Sequence, residues 1–192
     1  MNRKVILSGI GLVFLLCITI TGTVYGQATA KQNVIHLGAA YTQALVDNAQ
    51  AGFVGLNMFF GKMLTNNICL GISTGYDIVS FRSVGDMKER VAVAPLQIKA
   101  KCYMNLGPML QLYASAAGGA YRVIPHLGTE KIGTLGGYTT TQPGGSVGIG
   151  LDYWFLLTTG VGFELEYHTF TTDGDDMFSY FAARVDYCLI KF

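Results

Sequence analysis

Charged residues are scarce in this chain of 192 residues, because aspartate, glutamate, lysine and arginine together make up only 13%. An ordinary soluble domain carries roughly a quarter, so the chain has too few charges to cover a whole surface against water. The formal net charge of +1 provides no basic surface for nucleic acid. These shortages exclude nucleic-acid binding and argue against a domain that is exposed to water on all sides.

Cysteine is also scarce, and the three cysteines beyond residue 30, Cys69, Cys102 and Cys188, lie in separate apolar segments. An odd and scattered set does not build a disulfide framework, so we expect buried free thiols. Beyond residue 30 the sequence also lacks any apolar run near the roughly 20 residues of a membrane-spanning helix. A helical membrane domain is therefore excluded for residues 31–192.

One apolar run does occur, at the N-terminus. Arg3 and Lys4 precede an apolar stretch at 5–20, and small residues follow at 21–30. This is the pattern of a cleavable signal peptide, and about 16 apolar residues are few for a membrane anchor. We predict a signal peptide over 1–26, with cleavage after Gly26 or alternatively after Ala28 or Ala30, and a single domain over 27–192.

The remaining chain alternates apolar and polar residues with a period of two, which is typical of β-strands with two different faces. The predicted strands cover residues 34–43, 53–61, 68–79, 91–104, 109–121, 145–155, 160–170 and 180–192. The links after odd-numbered strands are long, at 44–50, 80–90, 122–144 and 169–179. The links after even-numbered strands are short, at 62–67, 105–108 and 156–160. Long links at one end and tight turns at the other predict an up-and-down barrel.

Two kinds of barrel fit this alternation: a soluble barrel with its apolar face inside, and a transmembrane barrel with its apolar face outside. The polar face consists largely of glycine, alanine and serine, which suits the cramped interior of eight strands. The other face is aliphatic, with aromatic residues near the strand ends, and fits hydrocarbon. We predict an all-β, eight-stranded antiparallel up-and-down transmembrane β-barrel, preceded by the signal peptide.

The polar face also carries charged residues. If the last two strands form a hairpin centred near 173–174, Glu164 lies opposite Arg184, and Glu164→Lys should partly rescue a charge reversal at Arg184. We predict an ion-pair network in the lumen, because buried charges need partners. A filled eight-stranded interior leaves no obvious substrate pocket, so we expect this network to be structural rather than catalytic. Its predicted members are Asp77, Lys99, Lys101, Asp152, Glu164, Glu166, Arg184 and Asp186.

Two segments, GIGLDY at 148–153 and GVGFELEY at 160–167, and the final Phe192 carry a family resemblance. With them the chain resembles the small outer-membrane β-barrel proteins of Gram-negative bacteria, related to the opacity and OmpA/OmpX-like barrels. The resemblance implies insertion into outer-membrane lipid with both termini in the periplasm. It also implies assembly by the outer-membrane barrel assembly machinery, with Phe192 as the C-terminal assembly signal.

For function, we expect a non-enzymatic outer-membrane protein with a structural or surface-interaction role, whose long loop at 122–144 contacts an extracellular surface or protein. The alternative is a narrow porin-like channel for small polar solutes. A second alternative is a membrane-lipid-modifying enzyme. The deacylase-like pattern of such enzymes has serine two residues after histidine, whereas Thr169 and Phe170 follow His168.

No cofactor or metal is expected from the histidines. His36 and His168 fall near opposite ends of the predicted barrel, and His126 lies in the long loop. Three histidines so placed do not share one metal ion.

Overall fold

The computed structural model describes residues 30–45, 54–84, 87–125, 139–172 and 177–191. These residues form eight antiparallel strands, each paired with its neighbours in sequence, and the last strand pairs with the first to close a barrel. The predicted fold class is confirmed. None of the described residues lies in a helix long and apolar enough to cross a bilayer. The strands are β1 (Asn33–Ala44), β2 (Val54–Met63), β3 (Ile68–Val84), β4 (Met87–Asn105), β5 (Leu110–Pro125), β6 (Thr140–Trp154), β7 (Thr159–Thr171) and β8 (Met177–Lys191).

The two ends of the barrel differ. Links at 64–67, 106–109 and 155–158 join strands at one end, which we call the turn end. The chain also enters and leaves there, because Asn33 pairs with both Lys62 and Lys191. The opposite end, where the other links lie, is called the loop end. The predicted signal peptide at 1–26 and the assembly signal at Phe192 lie outside the described residues.

Three of the predicted long links are shorter than expected, including the one predicted at 169–179, which is reduced to 172–176 between β7 and β8. β3 and β4 continue to a pairing of Val84 with Met87, so residues 80–90 are mostly strand rather than loop. β5 and β6 likewise continue until Val123 pairs with Thr140, which shortens the link predicted at 122–144. In these extensions the sequence lacks a regular apolar alternation, which is why the pattern predicts links there. Backbone pairing does not require two chemically different faces, so the strands continue. His126 lies outside the described residues.

The outer face of the barrel is an apolar belt. Leu56, Ile98 and Ile149 are 68%, 66% and 65% exposed. Among the described side chains of the strands, the outward-facing charged residues are Lys62 near the turn end and Arg122 near the loop end. An uncharged, exposed apolar belt around a closed barrel fits hydrocarbon and not water. The barrel is therefore transmembrane.

The interior consists of three layers. An apolar layer lies toward the turn end and another toward the loop end, with polar and charged side chains between them. Cys69 and Cys188 are buried free thiols, whereas Cys102 faces outward and is half-buried. The turn-end layer contains Val34, Phe59, Met63, Cys69, Tyr103, Tyr113, Trp154, Cys188 and Ile190. The loop-end layer contains Ala40, Ala44, Val79, Val91, Val93, Tyr121, Val123, Phe170, Phe178, Tyr180 and Ala182.

A charge placed in the middle of the outer belt tests this assignment of faces. Replacing Ile98 with Arg should reduce the free energy of unfolding by about 2–4 kcal/mol, because the guanidinium would face the bilayer midplane. The matched change Leu64→Arg, in a turn at the barrel end, should cost no more than about 1 kcal/mol. Urea unfolding in lipid vesicles measures both, and equal costs would contradict the position of the belt.

Candidate functional site: the charged interior of the barrel

The structure places all eight sequence-predicted charged residues inside the barrel, each at most 3% exposed. Cross-strand register brings them together. Glu164 pairs with Arg184 across β7 and β8, and lies opposite Gly150 on β6. This register follows from the predicted hairpin centre.

The direct ion partners, however, are offset from the register. Arg184 donates a hydrogen bond from Nη1 to Glu166, which lies two residues beyond its cross-strand neighbour. Glu164 instead contacts Lys99, whose Nζ lies 2.7 Å from Oε1. Long side chains reach diagonal neighbours across a sheet, so the expected rescue of Arg184 by a change at Glu164 is corrected to one at Glu166.

The loop-side part of the network surrounds Arg184. Besides Glu166, its guanidinium approaches Asp77 at 4.0 Å and lies 3.2 Å from Nε2 of His168. Tyr180 donates its hydroxyl to Asp77 at 2.8 Å and stacks on the His168 ring, with centroids 4.6 Å apart. An arginine only donates hydrogen bonds, so the contacting Nε2 of His168 is an acceptor and this imidazole is neutral.

The middle of the network is built on two carboxylates, Glu164 and Glu166. Lys99 bridges them, at 2.7 Å from Glu164 and 3.0 Å from Glu166. Ser115 donates its hydroxyl to Glu164 at 2.7 Å, and Ser146 donates to Glu166. Each carboxylate thus accepts from both a cation and a hydroxyl, and such charge-assisted hydrogen bonds are among the stronger ones in proteins.

Glycines on β6 provide the room for these long side chains. A Cβ added at Gly148 would lie 2.8 Å from Oγ of Ser115 and 3.1 Å from Oε1 of Glu164. A Cβ at Gly150 would collide with the ring of Tyr113. From the sequence we expect Gly150 and Gly148 to lie opposite Glu164 and Glu166 and to leave room for them. The register is as expected, and the structure shows that Gly148 makes room for Glu164 whereas Gly150 makes room for Tyr113.

The turn-side part of the network is less well satisfied. Lys101 Nζ lies 3.3 Å from Nδ1 of His36 and 3.9 Å from Glu164. The His36 ring approaches Asp152 at 3.6 Å and Asp186 at 3.7 Å, which is too long for good hydrogen bonds. Three buried atoms here, Nε2 of His36, Oδ2 of Asp152 and Oδ1 of Asp186, have no hydrogen-bond partner.

The network also contains histidines and uncharged residues that were not predicted from the sequence. His36 and His168 are both buried within it, and Tyr121, Ser115 and Ser146 supply hydroxyl partners. All five share the inward parity of their strands, so a reading that assigned every inward polar residue to the lumen would have included them. Their pairings could not be read from parity, since parity does not show which inward residues meet and some of the partners, such as Ser115 on β5 and Glu164 on β7, lie on strands that are not neighbours in the sheet.

A closed eight-stranded barrel with an uncharged apolar belt and a filled, charged interior defines a small transmembrane barrel of the outer-membrane type. Solved structures share this fold. Neisserial surface protein A matches with a TM-score of 0.62 at 11% identity, over 82% of this chain and 96% of its own. OprG of Pseudomonas aeruginosa matches with a TM-score of 0.57 at 11% identity, over 88% and 99%. The N-terminal barrel domain of OprF from Pseudomonas aeruginosa matches with a TM-score of 0.52 at 13% identity, over 84% and 98%.

No protein-family model matches the chain, and no curated protein matches its sequence. Identities of 11% to 13% show a shared fold alone. The chain therefore has the architecture of the small eight-stranded outer-membrane barrels, and its role has to be argued from its own residues.

A double-mutant cycle tests the offset pairing. Arg184→Met should destabilise the barrel by about 3–5 kcal/mol, because it leaves Glu166 buried without its guanidinium partner. The coupling energy between Arg184→Met and Glu166→Gln should be about 1–3 kcal/mol. The coupling energy between Arg184→Met and Glu164→Gln should be smaller. Urea unfolding followed by the fluorescence of Trp154, the single tryptophan, measures both. Equal couplings would refute Glu166 as the direct partner.

Proposed function

We propose that this chain is a non-enzymatic outer-membrane barrel with a closed, non-conducting interior, and that it acts on its surroundings through its loop end. The observation that carries this proposal is the layering of the interior. A network of paired charges lies between two apolar layers, so the charged groups are covered toward both ends of the barrel.

Aromatic contacts support closure at the loop end. The rings of Tyr121 and Phe170 stack with centroids 5.1 Å apart, and Phe170 meets Phe178 at 5.2 Å. These side chains are at most 4% exposed. A hydrated ion passing this layer would have to give up water without gaining polar partners, which is costly.

The turn end is closed by larger side chains. Trp154 donates its indole N–H to Gln111 at 2.7 Å, and Gln111 in turn donates to Asn105 at 2.7 Å. Tyr103 and Tyr113 pack with centroids 5.3 Å apart. These contacts join large buried side chains of the neighbouring strands β4, β5 and β6, and the space that they fill favours a plugged barrel over the narrow channel.

The same geometry favours a non-enzymatic role. Ser146, which pairs with His168 in the register of β6 and β7, donates its hydroxyl to Glu166. His168 contacts Tyr121 at 3.0 Å and Arg184 at 3.2 Å instead. A serine nucleophile needs a base within hydrogen-bonding reach, and His168 is engaged elsewhere and covered by the loop-end layer.

The orientation we propose follows from the link lengths. Outer-membrane barrels have short turns on the periplasmic side and longer loops outside. The turn end, where β1 begins and β8 ends, would then face the periplasm, and the loop end would face outward. A signal peptide at 1–26, assembly through Phe192 by the barrel assembly machinery and a belt bathed in outer-membrane lipid all belong to this proposal.

Strand length supports a surface role for the loop end. A transmembrane strand needs about 9–11 residues, whereas β3 and β4 have 17 and 19. Four-residue links align the strands at the turn end, so the excess projects at the loop end. At about 3.3 Å per residue, six extra residues add roughly 20 Å along the strand. Neisserial surface protein A, which shares the fold, is named for its place at a surface.

Planar-bilayer recording of the folded chain tests closure. We expect no conductance steps, because ions would have to cross two apolar layers. A large porin in the same membranes serves as the positive control, and a heat-shifted gel band verifies folding. Reproducible steps from the folded chain would refute the closed interior and support the channel.

Shortening the longest loop tests whether the barrel folds without it. Thr140 and Thr141 belong to β6 and pair with Val123 and Arg122, so the deletion should be confined to 127–138. Replacing this segment with Asn-Gly should leave the heat-shifted band and urea midpoint unchanged. Extending the deletion through Thr141 should lower the midpoint. Loss of the folded form with the shorter deletion would make the loop structural.

A further inference from the structure

The turn-side part of the network is incomplete. His36 is 1% exposed and Asp152 is fully buried, yet Nε2 of His36 and Oδ2 of Asp152 have no hydrogen-bond partner. The two atoms face each other at 3.6 Å. Buried polar atoms are rarely left unpaired, and each such case calls for an explanation. The loop-side part also has unpartnered atoms, Oδ1 of Asp77 and Nε of Arg184, but each of its carboxylates accepts a close hydrogen bond, from Tyr180 or from Arg184.

A thiol completes this group. Sγ of Cys188 lies 3.8 Å from Oδ1 of Asp152 and 3.5 Å from Nδ1 of His36, the ring nitrogen other than the one that faces Asp152. One ligand atom from each of the three residues can be chosen so that all lie within 4.8 Å of one another. For metal–ligand bonds of about 2.0–2.3 Å, ligand atoms on a tetrahedron stand roughly 3.3–3.8 Å apart. Small side-chain rotations would therefore let these three atoms converge on one ion.

We propose that His36, Asp152 and Cys188 form a binding site for a zinc-class divalent cation inside the barrel. Nitrogen, oxygen and sulfur ligands in one site suit zinc, whereas magnesium and calcium take oxygen ligands. Nε2 of His36 is the ligating nitrogen, because it is the unpartnered one. Asp186 lies 3.7 Å from Nδ1. In the metal-bound form, once Lys101 no longer donates to Nδ1, Asp186 would accept the Nδ1–H and orient the ring, and water would complete the coordination.

A glycine on the neighbouring strand keeps the site open. A Cβ added at Gly162 would lie 2.7 Å from Oδ1 of Asp152 and 2.9 Å from Sγ of Cys188. Gly162 pairs with both Asp152 and Asp186 across β7, so any larger residue would push against two members of the group. The absence of a side chain at this position is what allows the carboxylate and the thiol to approach each other.

The charge of the interior favours an added cation. Five buried carboxylates face three buried cations, Lys99, Lys101 and Arg184, and the contact with Arg184 keeps His168 neutral. With all eight groups ionised, the formal charge of the described interior is therefore −2. A divalent ion that displaces the Cys188 proton reduces this to −1.

The ammonium of Lys101 is the cation that lies beside the His36 ring in this structure, on its Nδ1 side. This ammonium can only donate, so the 3.3 Å contact makes Nδ1 of His36 an acceptor and argues against a doubly protonated ring. Lys101 also lies 3.9 Å from Glu164 and 4.1 Å from the ring centroid of Tyr113. These two contacts would hold the ammonium once the metal takes its place beside the imidazole.

Metal reconstitution tests the site. The chain is unfolded in urea and refolded into detergent micelles with Zn²⁺ or Co²⁺, since a closed barrel admits the ion during folding. After gel filtration we expect about one zinc per chain by mass spectrometry, the number a single site holds. The cobalt form should show near-ultraviolet absorption from sulfur-to-cobalt charge transfer. A folded wild-type chain without bound metal, or without this absorption, would overturn the proposal.

Variants assign the ligands. Cys188→Ser and Gly162→Ala should each weaken zinc binding by at least the roughly 10–100-fold that loss of an outer partner costs, and Cys188→Ser should abolish the charge-transfer band. Cys69→Ser, which removes another buried thiol, is the matched control and should bind as wild type does. Unchanged binding in Cys188→Ser refutes the site. If the variants do not fold, the wild-type cobalt spectrum decides alone.

Discussion

Backbone hydrogen bonding in a medium without water is the constraint on which this structure depends. Every N–H and C=O in the apolar belt needs a protein partner, and a sheet satisfies this only when it has no edge. The pairing of β1 with β8 over Asn33–Ala44 removes that edge. Closure with eight strands then fixes a narrow interior that its own side chains fill, so the chemistry of the lumen follows from the demand for closure.

The narrow interior explains why the charges are arranged as they are. An ion buried without a partner costs several kcal/mol, and a pair recovers that cost only with good geometry and further hydrogen bonds. Glu166 meets this condition through Arg184, Lys99 and Ser146. The turn-side group around His36 does not meet it with protein atoms alone, and this contrast within one network is the basis for inferring a bound cation there.

Much of the fold could be predicted from the sequence because a barrel wall has two chemically different sides. Period-two alternation located eight strands, and the small residues on one parity indicated which side faces inward. The centre of the last hairpin gave the pairing of Glu164 with Arg184. The extensions of β3 to Val84 and of β5 to Pro125 were missed, because strands that leave the belt no longer alternate.

The ion partners themselves could not be predicted, for a different physical reason. The strand register fixes only the Cα positions. Which carboxylate the Arg184 side chain contacts depends on the length of that side chain and on the tilt of the strands, and the contact it makes is with Glu166, its diagonal neighbour. Contacts across the lumen, such as Tyr180 with Asp77 or His36 with Asp152, join strands that are not neighbours in the sheet. Alternation in the sequence carries no information on which residues meet across the lumen.

The division of labour within the chain follows from these constraints. The belt must be apolar for the bilayer, and the interior must be filled and paired, so substitutions in either part are costly. Neither constraint applies to the links at the loop end. In the parts of β3 to β6 that project beyond the belt, the strands require only their backbone pairing. Substitutions should therefore cost the least stability in the parts of the barrel that project beyond the apolar belt. The wall and the lumen are both required for stability, and this is the physical reason for proposing the loop end as the part that recognises other molecules.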